Sequence, residues 1–440
     1  MESLQPYLIL DVLAVTLVIA LSFWRLSFWH PLTAYLFFHI YSFTVRTYDI
    51  YNGAPTIYTG SVNNYEDVTS DELSRALLLA DLALIVFATT SWIAHRLFNA
   101  RSHLPVSRTI LNEKIIKTVA FVGLPPGLII FFLFKATEVF EEGTGGYLAA
   151  ATMWPIGITC MLIFAFGYRW YSIALLVIIL GVVSVQGYHR HMVVLPLLML
   201  SALYLQRRGR RWPTVPILLG AAALAMVFPR LKYIGWAIKQ GDVQEAVRHL
   251  SGSFVKDDTL IEADYRESFL DQYACSLSMI DYNEKKYWGS TYLGVVTLPI
   301  PRDWWPDKPA LNEHVKEIST STRQFGREGR IITYLGEAYA NFGYAGFVVV
   351  PAMLGYALTA FFLHATTGPW YSLSRYVYLA CFMASLQLFR DGLYSLVVFT
   401  IAHNIPMLVV IILHLLPGLA QKSLDQAVDY APSPAKPKIS

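Results

Sequence analysis

The chain has 440 residues, of which 55% are hydrophobic, 14% aromatic and only 15% charged, against about 25% charged in an ordinary soluble domain. Its 34 basic and 31 acidic residues nearly balance, for a formal net charge of +3, so no global excess points to a nucleic-acid partner. Apolar runs recur from residue 4 to residue 417, which excludes a set of two or three soluble domains and makes the chain an all-α polytopic membrane protein.

A helix that crosses the hydrocarbon core needs about 20 mostly apolar residues, because every backbone N–H and C=O must be satisfied within it. Eleven segments meet that pattern: 4–24, 31–48, 73–95, 115–135, 148–168, 171–188, 191–206, 213–230, 343–363, 373–389 and 395–417. Segment 31–48 is interrupted by His39 and Arg46, and segment 191–206 is short. The first segment runs to Phe23 without a small-residue cleavage site, so it reads as a retained helix and not a removable signal.

The loops set an orientation. Arg207, Arg208, Arg210 and Arg211 form one basic cluster, and Arg96, Arg101, Arg108, Lys114 and Lys117 surround another link. The positive-inside bias places both in the cytoplasm. Acidic links at Glu66 to Glu72 and Glu138 to Glu142 then fall outside. Alternation gives an N-terminal transmembrane bundle (1–230), a large external connection (231–342), C-terminal transmembrane helices (343–417) and a cytoplasmic tail (418–440), whose last ten residues are rich in Pro and Ser and expected to be disordered. Within the connection, 242–250, 262–280 and 331–342 have helical amphipathic spacing. Trp288, Trp304 and Trp305 suit a membrane interface. Cys160, Cys275 and Cys381 stand apart and indicate neither a disulfide framework nor a thiolate zinc site.

Charged residues that carry chemistry concentrate on the external side. In 299–309, PIPRDWWPDKP, four prolines hold the chain extended and would present Arg302 and Lys308 above a surface lined by Trp304 and Trp305. A guanidinium grips phosphate oxygens bidentately, whereas Lys supplies a point charge. The competing role is pairing with headgroups or with Asp303 and Asp307. In 323–343, RQFGREGRIITYLGEAYANFG, Arg323, Arg327 and Arg330 place three cations before an apolar segment, a candidate diphosphate clamp. Gly326 and Gly329 allow close backbone approach there, and their spacing does not match a nucleotide P-loop. Glu337 lies seven residues after Arg330, two helical turns on, so the two can share a face; it would accept a sugar hydroxyl or its proton, or balance an arginine.

In 187–191, GYHRH, Arg190 is placed to neutralise a leaving diphosphate and His189 to act as general base; the histidine spacing does not make a helical metal site, and no metal is expected. Arg390 with Asp391 at a helix end, and His403 with Asn404 inside the last segment, are further candidates whose plainer roles are mutual pairing and interhelical hydrogen bonding. Asp11, Asp81 and His95 form a polar constellation away from these groups. Asp81, flanked by leucines and alanines, suggests a proton or ion pathway, against a buried hydrogen bond to a neighbouring helix.

The order VSVQGYHRH (183–191), RRGRR (207–211), YWGSTYLGVVTLPIPRDWWPDKP (287–309) and GREGRIITYLGEAYANFGYAG (326–346) resembles the Wzy-type O-antigen polymerases of bacterial envelopes. The layout extends over the whole chain, and the specific motifs cover about an eighth of it. The family has small residues around an arginine where this chain has Tyr188, His189, Arg190 and His191. The resemblance implies a GT-C-like inner-membrane glycosyltransferase working on the periplasmic side. It would pass a growing glycan from undecaprenyl diphosphate to the non-reducing sugar of an incoming lipid-linked repeat unit, without nucleotide sugar, cofactor or metal. It further implies membrane lipids and undecaprenyl-diphosphate-linked oligosaccharides as partners, together with a polysaccharide chain-length regulator. Arg190, Arg302, Arg327 and Arg330 would then hold the diphosphate. Glu337 would position or deprotonate the acceptor, with His189 and His403 as rivals, and Arg390 would complete a lateral cavity. An O-antigen ligase acting on lipid A core needs the same arginine clamp. A transporter or flippase would instead show repeated halves, of which the sequence has none, and an interaction subunit would tolerate loss of the arginines.

Overall fold

The computed structural model describes residues 2–54, 68–100, 111–137, 153–167, 169–186, 197–198, 200–205, 208–220, 241–242, 244, 247, 269–284, 286–297, 300, 304–305, 332–367, 372–400 and 404–416. Among them every regular element is helical. Four helical stretches are long and apolar enough to cross a membrane: Gln5–Ser22, Ser70–Phe98, Glu113–Leu133 and Thr333–Thr367. Shorter apolar helices occupy Trp154–Phe166, Trp170–Gly181 and Ile405–Leu415.

Helix α1 (Gln5–Ser22) is inverted relative to a helix on a water-soluble protein. Ile9, Leu10, Leu13, Leu17 and Leu21 lie exposed on its outer face, while Asp11 and Ser22 are buried. In water that arrangement would forfeit the hydrophobic driving force. Against lipid it is the favourable one, since apolar side chains face hydrocarbon and polar ones find protein partners. Helices α2 (Pro31–His39) and α3 (Val45–Tyr51) are joined through a π turn at Ile40–Thr44. Pro31 occupies the first position of α2, where its missing N–H costs nothing, and His30 Nδ1 accepts the Leu32 N–H at 3.1 Å as the cap. Helix α4 (Ser70–Ala100) opens with a reciprocal cap: Thr69 N–H donates to Glu72 Oε2 at 2.9 Å and Glu72 N–H to Thr69 Oγ1 at 3.2 Å.

Helices α5 (Glu113–Thr137), α6 (Trp154–Phe166) and α7 (Trp170–Gln186) follow. From the long connection come α8 (Phe269–Asn283) and the short α9 (Ser290–Val296). Then come α10 (Thr333–Phe342), a 3-10 turn at Gly343–Ala345, and α11 (Gly346–Thr367). Helices α12 (Leu373–Asp391), α13 (Leu393–Thr400) and α14 (Ile405–Leu415) follow. The bend between α10 and α11 has a local cause. Gly343 takes φ +60, and a Cβ at Gly346 would lie 2.2 Å from the Ala338 carbonyl oxygen, so only glycine lets the two helices close up there.

Side-chain contacts fix the helix directions. Gly355 of α11 lies against the Phe87 backbone of α4, and Ser91 and Thr359 share a 2.7 Å hydrogen bond four residues further along each helix; the two run parallel. Trp92 Nε1–H donates to Ser22 Oγ at 2.9 Å, eleven residues beyond Asp81 and Asp11, which are level with each other, so α1 is parallel to both. The α2 to α3 path runs the other way, from His30 beside His95 to Arg46 beside Asp271. Helix α12 also returns: Tyr378 Oη donates to the Trp29 carbonyl, and Phe389 packs on Tyr35, Tyr334 and Phe87.

The bundle therefore has two polar ends. At one, Arg211 Nη1–H donates to the Trp24 carbonyl, and Arg375 covers the Ala365 and Thr366 carbonyls that α11 leaves open. At the other, α8, α9 and α10 gather. Helices α5, α6 and α14 form an adjoining group. His414 Nδ1–H donates to the Val410 carbonyl while Nε2 accepts the Asn112 N–H, both at 2.7 Å, and Phe164 of α6 packs on Tyr376 of α12.

Candidate functional site

The end built by the long connection is where polar side chains converge. Helix α8 is fastened there by ion pairs reaching across the sequence. Arg46 Nε–H and Nη2–H donate to Asp271 Oδ1 and Oδ2 at 3.1 and 2.7 Å, a buried bidentate pair. Arg75 Nη1–H donates to Asp281 Oδ2 at 2.5 Å, and Tyr339 Oη–H donates to the other oxygen of that carboxylate. Lys286 stands over the Tyr339 ring at 4.5 Å and Arg75 over Tyr344 at 5.4 Å. Sequence reasoning did not single out Arg75, Asp271 or Asp281. Arg75, a cation inside an apolar run, was the available signal.

Glu337 is a second buried carboxylate of this end, 4% exposed on α10. Thr291 Oγ1–H of α9 donates to its Oε1 at 3.2 Å, and the Leu393 N–H at the start of α13 donates to its Oε2 at 2.9 Å. A helix N-terminus favours an anionic oxygen. The seat is itself held: Asn341 Nδ2–H donates to Thr291 Oγ1 at 2.7 Å and to the Glu337 carbonyl, and the Gly289 N–H donates to Asn341 Oδ1 at 2.8 Å. Gly392, at φ +90, makes room, since a Cβ there would lie 2.3 Å from Glu337 Oε2. Among the described residues no arginine or lysine pairs with this carboxylate. Burial, with the Glu337 charge nearby, holds the Tyr292 phenol well above its ordinary pKa.

Arg390 stands two residues before Gly392, so it belongs to the same turn as the Glu337 seat. Its Nε is 3.3 Å from Asp391 Oδ1, and its guanidinium lies 5.9 Å from the Phe269 ring centre. Burial pushes Asp391 up to about 6 in spite of the opposing Arg390 charge. Trp304 and Trp305 are both exposed, as rings at an interface would be. Arg190, His189, Arg302, Lys308, Arg323, Arg327, Arg330 and His403 lie outside the described residues.

Helix α10 begins at Thr333, which takes φ +58, a strained conformation for a β-branched residue. Of the interval from Arg330 to Glu337, the described part begins at Ile332, and Arg330 lies outside the described residues. The constellation of Asp11, Asp81 and His95 divides. Asp11 and Asp81 gather around His39, whereas His95 Nε2 is 3.1 Å from His30 Nε2 at the far end. Because His30 Nδ1 accepts the Leu32 N–H, its Nε2 carries the proton and donates to His95.

A scan of protein-family models, a search of curated proteins and a search of solved structures each give no significant match to this chain.

Proposed function

We propose that the chain is a GT-C-type glycosyltransferase of a bacterial inner membrane that polymerises oligosaccharide repeat units carried on undecaprenyl diphosphate. The observation that carries this reading is the seat of Glu337. This buried carboxylate has two neutral donors and no cation among the described residues, and it sits beside α8 and α9, which the long connection supplies. A carboxylate so held is set up to take a proton and not to balance a charge. Its oxygens would accept the proton of the acceptor sugar hydroxyl as that oxygen attacks the anomeric carbon of the donor. The bond from that carbon to the diphosphate oxygen breaks, and the negative charge passes to the departing lipid diphosphate.

Fixed guanidinium groups stabilise such a leaving group without a bound divalent ion. Arg190, Arg302, Arg327 and Arg330 fill that role, with Lys308 and Arg323 as further phosphate contacts. Trp304 and Trp305 hold their loop at the bilayer surface, and Arg390 lines the lipid's lateral approach. Catalysis faces the periplasm, on the side to which the connection 231–342 is assigned by the basic links opposite it. A chain-length regulator is the protein partner of this reading.

Replacing Arg302 or Arg327 with Ala tests it in cells: polymer should disappear while membrane abundance of the protein persists. An unchanged chain-length distribution would remove both from the diphosphate site.

A further inference from the structure

The bundle holds a second polar centre that the proposed reaction does not use. Asp11 of α1, His39 at the end of α2 and Asp81 of α4 meet between three helices, each 6% exposed or less. His39 Nε2 is 2.8 Å from Asp11 Oδ1 and 3.3 Å from Asp81 Oδ1, and one donor atom from each residue lies within 4.8 Å of the others. Asp11 Oδ2 and the Thr44 hydroxyl are buried here without a hydrogen-bond partner, and so is His39 Nδ1, the ring nitrogen that does not face the two carboxylates. Buried acceptors are ordinarily satisfied, and each one left open is costly.

The charges make the same point. Two acidic side chains share a single imidazole in a buried place, and any negative charge that His39 does not balance has to be met there. A divalent cation cancels that charge without protonating any of the three groups. The donor set, one imidazole nitrogen and carboxylate oxygens, suits first-row ions of borderline softness. Ligands at about 2.1 Å in a tetrahedral arrangement stand about 3.4 Å apart, so Asp11 and His39, now 2.8 Å apart, need to separate by about 0.6 Å and give up the proton between them to admit an ion. His39 immediately precedes the π turn Ile40–Thr44. A π turn widens the helix locally and brings residue i+5 over residue i, as is common at ligand sites, and here it sets Thr44 over His39.

We infer that Asp11, His39 and Asp81 bind one divalent transition-metal ion of the zinc class, which ties α1, α2 and α4 together in the middle of the bundle. Rings of Tyr35 and Tyr334 stand between this centre and the start of α10, so the ion is separate from the Glu337 seat and takes no part in glycosyl transfer.

The test is elemental analysis of the full chain, purified without chelator and equilibrated with Zn²⁺ before free ion is removed. One Zn²⁺ per chain is expected, falling at least tenfold in Asp11→Asn and in Asp81→Asn. Wild-type chains retaining fewer than one ion in about ten, or variants retaining as much as wild type, would overturn the inference. A second measurement needs no variant. Zinc K-edge X-ray absorption of the wild-type protein should show a single imidazole with oxygen neighbours; sulfur or several imidazoles in the first shell would place the ion elsewhere and overturn it equally.

Discussion

Replacing Glu337 with Gln separates the two roles that a buried carboxylate can play here. The substitution keeps the shape of the side chain. Its carbonyl can still accept the Leu393 N–H, while its amide must donate to Thr291 Oγ1, which already accepts from Asn341 and has to turn its own proton away. One hydrogen bond to a charged acceptor is lost and another is weakened, a cost of about 2 kcal/mol and a fall of several degrees in the unfolding temperature. The reaction should suffer far more. Removing a general base slows the chemical step by roughly 10² to 10⁴, equivalent to about 3 to 5 kcal/mol in the barrier. The assay is the initial rate of polymer formation per folded molecule, with donor binding measured separately at equilibrium. Binding should change by less than about threefold while the rate falls at least a hundredfold. A variant keeping more than a tenth of the wild-type rate would show that Glu337 merely caps α13, and the assignment of a base to it would be withdrawn.

Gly392→Ala should act in the same direction, because φ +90 with ψ −175 is a backbone region essentially confined to glycine, costing an alanine about 1 to 3 kcal/mol, and its Cβ displaces the Glu337 carboxylate; full activity with normal expression would contradict the described seat. Arg46→Met leaves Asp271 buried without its bidentate partner and should destabilise the protein by about 3 to 5 kcal/mol, read as an early thermal transition in detergent. Asp391 has its folded pKa raised to about 6 by burial, so the folded state takes up a proton as pH falls through 6 while the unfolded chain does so only near 4. The sign follows from linkage: this residue makes the protein more stable at pH 5 than at pH 7, and Asp391→Asn should flatten that part of the wild-type profile of unfolding temperature against pH.

The apolar paths of α1, α4 and α11 are legible in the sequence because lipid-facing residues need only be apolar. The interior is less so, since its polar groups find partners far along the chain. His39 and Arg46 read as interruptions of segment 31–48; each has a partner that periodicity cannot supply, Asp11 and Asp81 for the first and Asp271, 225 residues away, for the second. Glu337 stands out in sequence through its distance from Arg330, yet its seat is made by Thr291 and Leu393, 46 and 56 residues from it. The helix that carries it begins at Thr333, which takes φ +58. Helix 262–280 was expected from its amphipathic spacing, and the structure places α8 at Phe269–Asn283. Its apolar face meets Phe38, Tyr41 and Phe43 of the bundle, through Phe269 and Tyr273, while its acidic residues reach Arg46 and Arg75.

Glycosyl transfer between two lipid-linked substrates can be measured most directly with purified protein in liposomes, given a defined undecaprenyl-diphosphate-linked repeat unit and nothing else. A ladder of products, each longer by one repeat unit, is the expected result. No elongation, or product only when lipid A core is added, would contradict polymerase activity.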